Sequence, residues 1–159
     1  PFEDVDGGDG NPGQVVLGYD GSPASNRAAA FAFRHAEAIG CGVVAVSVEA
    51  TRGEPETHEF NPEDATPGSD TSAFHSPVIV TAAAFPDVPV SFVTGTGRPA
   101  EVLLAEAVGA ELLVVGSRGS GGFSGLIMGS VSQKVLAHAS CPVAVLHPGI
   151  SAETASGIA

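Results

Sequence analysis

The sequence is short of positive charge. Six Lys and Arg residues, with Lys134 the single lysine, stand against 18 Asp and Glu, and the formal net charge is -12. Binding to DNA or RNA draws on counterion release by Lys and Arg, so no nucleic-acid partner is expected. Anionic membrane surfaces repel such a chain in the same way. Long hydrophobic runs are missing too. None reaches the roughly 20 residues that a membrane helix needs. The opening PFEDVDGGDGNPG is acidic where a secretion signal is basic, so no leader is expected. Aromatic residues are few, with no Trp and one Tyr, and the core must be built from Val, Leu, Ala and Ile. The two cysteines, Cys41 and Cys141, have neither metal nor redox spacing. They read as packing residues in a reducing cytoplasm. His35, His58, His75, His138 and His147 form no HxxxH or HExxH pattern, which argues against a structural metal site.

What is present reads as one domain, since 159 residues suit a single core. Residues 1–13 read as a disordered acidic tail. Within it DVDGGDGN, Asp4 to Asn11, looks faintly like a calcium loop but lacks the closing glutamate and flanking helices. QVVLGY (14–19) predicts a buried strand. Ser22 is placed to cap a helix with Pro23 at its first position. That helix is expected to run to Ile39, with Ala28, Phe31, Ala32 and Ile39 on one face, and to stop at Gly40. GVVAVSV (42–48) predicts the second strand.

The stretch 49–75 is a long acidic loop, either a lid or a solvated connection. Between Glu54 and His75 it holds six acids and two histidines, which also admits a metal cluster. SPVIVTAAAF (76–85) mixes a helix start with strand-forming residues. A short, proline-headed helix is expected there, because the chain must cross between two parallel strands. VPVSFVT (88–94) predicts the third strand. Gly97-Arg98-Pro99 opens a helix with Ala100, Leu103, Leu104, Ala107 and Val108 as its buried stripe and Glu101 and Glu106 outward. ELLVVG (111–116), Ser130 to Ala139 and CPVAVLH (141–147) predict the fourth strand, the last helix and the fifth strand. Residues 149–159 read as a flexible tail. Strands alternating with helices, the strands being continuous apolar runs, predict an α/β fold. It is a single domain with a parallel sheet covered on both faces, Rossmann-like.

The stretch from Gly116 to Val135, GSRGSGGFSGLIMGSVSQKV, carries six glycines between a strand and a helix. It is not a P-loop, since no glycine is followed by Lys and then Ser or Thr. A dinucleotide fingerprint is matched better by Gly95 to Ala100, but no acid follows at the required distance, and a plain helix-launching turn suffices there. In the loop itself, Gly116 and Gly119 would let backbone amides approach a ligand. Ser130 with Gln133 forms a capping-box pattern at a helix start, and helix starts bind phosphate. Arg118 and Lys134 bring positive charge. Alternatively the glycines only shape a connection, with Phe123, Leu126, Ile127 and Met128 packing on the sheet. Asp20 follows the first strand. It could face a ribose at the switch point of the sheet, or it could simply stabilise its turn, and taken alone it reads as a turn residue.

The spacing Gly116-x2-Gly119-x9-Gly129-Ser130 is similar to the ATP-binding signature of the universal stress protein family. LLVVGSRGSGGFSGLIMGSVSQKVLAHASCPVAVL, VVLGYDGSPAS (15–25) and GRPAEVLLAEAVGAELLVVGS resemble its members, so that the likeness spans about Gln14 to Pro148. The resemblance implies a five-stranded parallel sheet of order 3-2-1-4-5 over a domain of residues 14–148. It implies a site for ATP or AMP, with Mg or Mn as an accompanying ion. Asp20 would meet the ribose with Gly18 and Tyr19 beside it, and Val48 would line the adenine. Gly116, Arg118, Gly119, Gly129, Ser130, Val131 and Ser132 would hold phosphates and ribose. It also implies a homodimer through the fifth strand, Pro142 to Leu146, which would cover an exposed sheet edge. The function so implied is nucleotide-regulated stress signalling in the cytoplasm, read by a protein partner that the sequence does not name. The chain departs from the family pattern in its short second helix, its acidic loop, Ser47 before Val48, and the bulk of Tyr19. A slow nucleotide hydrolase or phosphotransferase, or a dimerisation scaffold with an unused site, are the other readings the residues admit.

Overall fold

Short apolar strands alternate with helices along the chain: β1 (Val15–Gly18), α1 (Pro23–Ile39), β2 (Val43–Glu49), α2 (Thr71–Ala83), β3 (Val90–Thr96), α3 (Pro99–Glu106), β4 (Leu112–Gly116), α4 (Ser130–His138) and β5 (Val143–Leu146). The computed structural model describes residues 11–49, 71–118 and 128–148, with the backbone alone for 71–76. The five strands form one sheet of order β3-β2-β1-β4-β5, and every pairing is parallel. The expected architecture and strand order are therefore observed. β1 sits at the centre, with Val15 opposite both Val43 and Leu112.

Side chains alternate across the sheet because the strand repeat is two residues. Val15 and Leu17 face the α1–α2 layer, where they meet Ala28, Ala32, Phe33 and Val78. Val16 faces the α3–α4 layer with Val44, Leu103, Leu113, Val115 and Val135. Both layers are needed, since a parallel strand between two neighbours presents two apolar faces.

The start of α1 follows the sequence reading. Ser22 Oγ accepts from the Ser25 N–H at 3.2 Å, and Pro23 occupies the first turn. At the other end Gly40 adopts φ 75°, and its N–H donates to the Ala36 carbonyl at 2.9 Å. The buried face of α1 differs from the one expected. Ala24, Ser25, Ala28, Ala29, Ala32, Phe33 and Ala36 are buried. Phe31 and Ile39 are 37% and 46% exposed. In a helix this rich in alanine the apolar periodicity is broad, and spacing does not choose between Phe31 and Phe33. The sheet makes that choice: Phe33 fills the layer beside Phe85, ring centroids 6.0 Å apart.

Further boundaries depart from expectation, among them β3, which runs over Val90–Thr96 and not over 88–94. Residues 71–75 and Glu49 are not loop: α2 begins at Thr71, so Pro77 lies inside the helix rather than at its head. Pro77 lies past the first turn, so it removes one N–H from the interior of the helix ladder and strains the helix there. Thr81 Oγ1 donates to the Pro77 carbonyl at 3.0 Å. The expected tail does not extend through Asn11. Asn11 is buried, its Nδ2 donates to the Glu106 carbonyl and to Glu106 Oε2 at 2.9 and 2.8 Å, and its N–H to the Val108 carbonyl at 3.1 Å. Glu106 is thus half-buried under that contact instead of facing outward. Val108, expected in the α3 stripe, is 50% exposed, because α3 ends at Glu106 and the turn at Gly109 swings the chain away. Finally, α4 is capped by Gly129 and not by Ser130. Residues 1–10, the stretch 50–70, the centre of the glycine loop and the tail 149–159 lie outside the described residues, and with them the calcium-like Asp4–Gly10 segment and most of the acidic loop.

Candidate functional site

Chain order along the sheet reverses at β1. β2 lies on one side of it and β4 on the other, which leaves a crevice where the C-terminal ends of β1 and β4 diverge. What the chain places there follows from the residues after each strand.

After β1 come Tyr19, Asp20, Gly21 and Ser22. Tyr19 continues the strand direction, its N–H donating to the Val46 carbonyl at 2.9 Å. Its ring is buried and its hydroxyl donates to Asn26 Oδ1 at 2.8 Å. Burial, reinforced by the neighbouring Asp20 charge, pushes the phenol above its ordinary range, so it stays a neutral donor. Asp20 is half-buried, and its Oδ1 accepts from the Ser22 N–H at 3.0 Å. That turn-closing bond is the plainer of the two roles expected for it. Gly21 has φ 81°, which only glycine adopts readily.

After β4 come Ser117 and Arg118. The Ser117 N–H donates to the Leu146 carbonyl at 2.8 Å, and its carbonyl accepts from the Gly129 N–H at 2.6 Å. Ser132 Oγ donates to the Gly116 carbonyl at 2.6 Å. The two ends of the glycine loop are thereby tied together, and the start of α4 stands directly beside the end of β4. Ser22 Oγ also donates to the Arg118 carbonyl at 3.3 Å, which links the two strand ends across the crevice.

No side chain caps α4. Its first-turn N–H groups, left over by helix geometry, are available to an outside acceptor with the positive end of the helix dipole behind them. Ser130 is exposed, Val131 half-buried and Ser132 buried. Gln133, expected to reach back in a capping box, donates instead to the Met128 carbonyl at 3.2 Å. With Gly129 as the cap, Gln133 falls one position past the place a capping box requires.

The expected site residues therefore gather unequally. Gly18, Tyr19, Asp20, Gly116, Arg118, Gly129, Ser130, Val131 and Ser132 come from the two strand ends and the α4 start that frame the crevice. Val48 lies one strand over, half-buried and in register with Gly95. Gly119 lies outside the described residues. Sequence reasoning passed over Ser117 as a site residue. It is fully buried, and neither its Oγ nor Arg118 Nε finds a hydrogen-bond partner among the described residues. Unpaired buried polar atoms cost about 1–3 kcal/mol each and concentrate where a structure has a task beyond stability. The one sequence signal for Ser117 was its place inside the glycine motif.

The glycines divide by cause. A Cβ on Gly116 would lie 2.8 Å from Ala24 Cβ and 3.0 Å from the Ser25 backbone nitrogen. Its lack of a side chain is thus set by the close approach of α1. Gly116→Ala should lower stability by about 1–3 kcal/mol, through overpacking against backbone. Denaturant unfolding checks this, and an unchanged midpoint would show that α1 can retreat without cost. Gly18 is crowded in the same way, 3.1 Å from Leu103 Cδ1. In the Gly95–Ala100 stretch, a Cβ on Gly95 would meet Val102 Cγ1 at 2.6 Å, and Gly97 has φ 112°. Gly95 thus belongs to β3, where packing against α3 accounts for it, and only Gly97 lies in the turn that launches the helix.

Cys41 and Cys141 are free and half-buried, and burial pushes both thiols up, away from the reactive thiolate. Among the described residues no group of three or more His, Cys, Asp or Glu could hold a metal. No helix among them is long and apolar enough to cross a membrane.

The parallel sheet of order 3-2-1-4-5 and the looped helix start at its switch point define an α/β domain of the UspA-like type. The model of the universal stress protein family matches residues 13–147, and the chain belongs to that family. It is 39% identical over 139 residues to a universal stress protein of Mycobacterium tuberculosis, covering 82% of this chain and 44% of that protein. The chain thus spans less than half the length of the mycobacterial relatives it matches. A Thermus aquaticus universal stress protein is 38% identical over 136 residues, 81% of this chain and 94% of that one. Among solved structures, a universal stress protein in complex with cAMP superposes with a TM-score of 0.64 at 25% identity, covering 87% of this chain and 98% of that one. An Arabidopsis thaliana family protein with AMP bound has a TM-score of 0.61 at 19% identity, with 89% and 95% covered, a likeness that carries the fold alone.

Proposed function

We propose that this domain binds an adenine nucleotide, ATP or AMP, in the crevice between the ends of β1 and β4, and that occupancy is read by a protein partner. The observation that carries the reading is the 2.6 Å bond between the Gly129 N–H and the Ser117 carbonyl. It brings an uncapped helix start to the switch point of the sheet, within reach of the Asp20 turn. Phosphates would sit against the N–H groups of Ser130 to Ser132, with Gly116, Arg118, Gly119 and Gly129 beside them. Ribose would meet Asp20, whose carboxylate, with two acceptor oxygens, can accept a hydrogen bond from a ribose hydroxyl as well as from the Ser22 N–H. Gly18 and Tyr19 would flank the sugar, and Val48 would contact the base. The cAMP complex of a protein 25% identical to this one supports the ligand class.

The triphosphate form would bring Mg or Mn, whose charge offsets a phosphate chain in a protein of net charge -12. The role is regulatory binding in the cytoplasm with at most slow hydrolysis: Asp20 is the sole carboxylate proposed for the crevice, and its Oδ1 is engaged with the turn. The active form would be a homodimer through β5, an edge strand whose four residues are all half-buried.

Calorimetric titration with ATP and AMP, with and without magnesium, tests the reading on protein freed of co-purified nucleotide. Micromolar binding is the expected result. An absence of binding to both, together with an unchanged melting temperature in millimolar Mg-ATP, would overturn it, because a ligand specific for the folded state has to stabilise that state.

A further inference from the structure

The charge of α1 runs against that of the molecule. The net charge is -12, yet within this helix Arg27, Arg34 and His35 stand against one acid, Glu37. A rotation of about 100° per residue places Arg27, Phe31 and Arg34 within about 60° of one another, on the side opposite the buried Ala29, Phe33 and Ala36. Arg27 and Arg34 are exposed, and neither guanidinium has an acidic partner among the described residues. Arg98, by contrast, is paired with Glu101 at 3.2 Å. Between the two arginines Phe31 is 37% exposed and stacks on His35, centroids 6.1 Å apart and planes 8° from parallel. The stack holds the ring in place on the outer face, where it forms an apolar step flanked by two cations.

We infer that this outer face of α1 is a docking surface for an acidic segment of a partner protein. The occupant follows from complementarity. Two guanidinium groups seven residues apart on a helix stand about 10 Å apart along its axis. A chain in the polyproline II conformation, with three residues per turn and a rise of about 3.1 Å per residue, spans that distance in three residues and keeps side chains three apart on one face. The fitting segment therefore carries two carboxylates three residues apart, with an apolar side chain between them to cover Phe31. A second copy of this face would repel, since arginine would meet arginine. The inference stands apart from the nucleotide reading, although Ser22, the cap of α1, donates its hydroxyl to the carbonyl of Arg118.

The test uses nucleotide-free protein and a fluorescein-labelled peptide of repeating Glu-Leu-Ser, followed by fluorescence anisotropy at low salt. Saturable binding that weakens as salt is added is expected. The double variant R27E/R34E should weaken it by about tenfold or more, as reversal of two contact charges does. Phe31→Ala should weaken it further, while Arg98→Glu, a reversal away from this face, should bind as the unaltered protein does. Both arginines are exposed, so circular dichroism should report an intact fold in R27E/R34E. No binding by the unaltered protein, or equal binding by R27E/R34E, would overturn the inference. Displacement of the peptide by labelled single-stranded DNA would overturn it too, in favour of a general anion surface.

Discussion

Phe33→Ala is expected to lower the unfolding free energy by about 3–5 kcal/mol. Phe33 is fully buried in the layer between α1 and the sheet, and its ring lies beside that of Phe85. Alanines surround it on α1, namely Ala29, Ala32 and Ala36, so no large neighbour on its own helix can move in to fill the void. The cost should therefore fall in the upper half of that range, where relaxation is poor. In a chain of this size the melting temperature should drop by on the order of 10 °C. Phe31→Ala serves as the internal comparison. That ring is on the outer face, and its loss should cost no more than about 0.5–1 kcal/mol. Urea unfolding of the two variants side by side measures the difference. If Phe31→Ala were the more damaging, α1 would be docked through the opposite face.

Gly129→Val should leave the fold intact and remove nucleotide binding. Gly129 has φ -74° and ψ 165°, extended backbone that valine readily adopts. As the cap of α4 it contributes no side-chain hydrogen bond. The stability change should therefore stay within about 1 kcal/mol. Its neighbours are the first-turn N–H groups of α4, and an isopropyl group there would stand between them and any phosphate. The expected loss of affinity is about a hundredfold or more, which corresponds to about 2.8 kcal/mol. Titration with ATP, paired with a melting curve, checks both halves. A variant that binds ATP normally would show that the phosphates do not lie at this helix start. Gly116→Ala is the useful contrast: its expected defect is in stability, through Ala24, before any question of ligand arises.

The glycines show where sequence reading reached its limit. Spacing identified Gly116 and Gly129 as parts of one motif, and the chain does belong to the family that carries it. Spacing could not say why each is glycine. At Gly116 the reason is the approach of α1, a segment some ninety residues distant in sequence. A contact made only after folding leaves no local trace beyond the small residue itself. Ser130 illustrates a related limit. It is a good capping residue by type, but the Gly129 N–H is drawn to the Ser117 carbonyl, and that tertiary bond moves the start of α4 back by one position. Asn11 was read as tail because its neighbours are acids, glycines and prolines. Its side chain nevertheless closes onto Glu106, a pairing that depends on where α3 ends.

Local chemistry by itself determined the alternation of strands and helices, the Ser22 cap, the Gly40 stop and the proline start of α3. Each of these rests on apolar period or on the conformational range of one or two residues, which act before distant parts of the chain meet. The parallel sheet covered on both faces follows from strands that are apolar without interruption. Only the tertiary structure decided which face of α1 is buried, where α2 begins, which residue caps α4, and that Ser117 is buried with its hydroxyl unpartnered among the described residues. These depend on which surfaces come into contact, and in an alanine-rich helix or a glycine-rich loop several choices are nearly equal in local energy. Packing against the sheet selects among them.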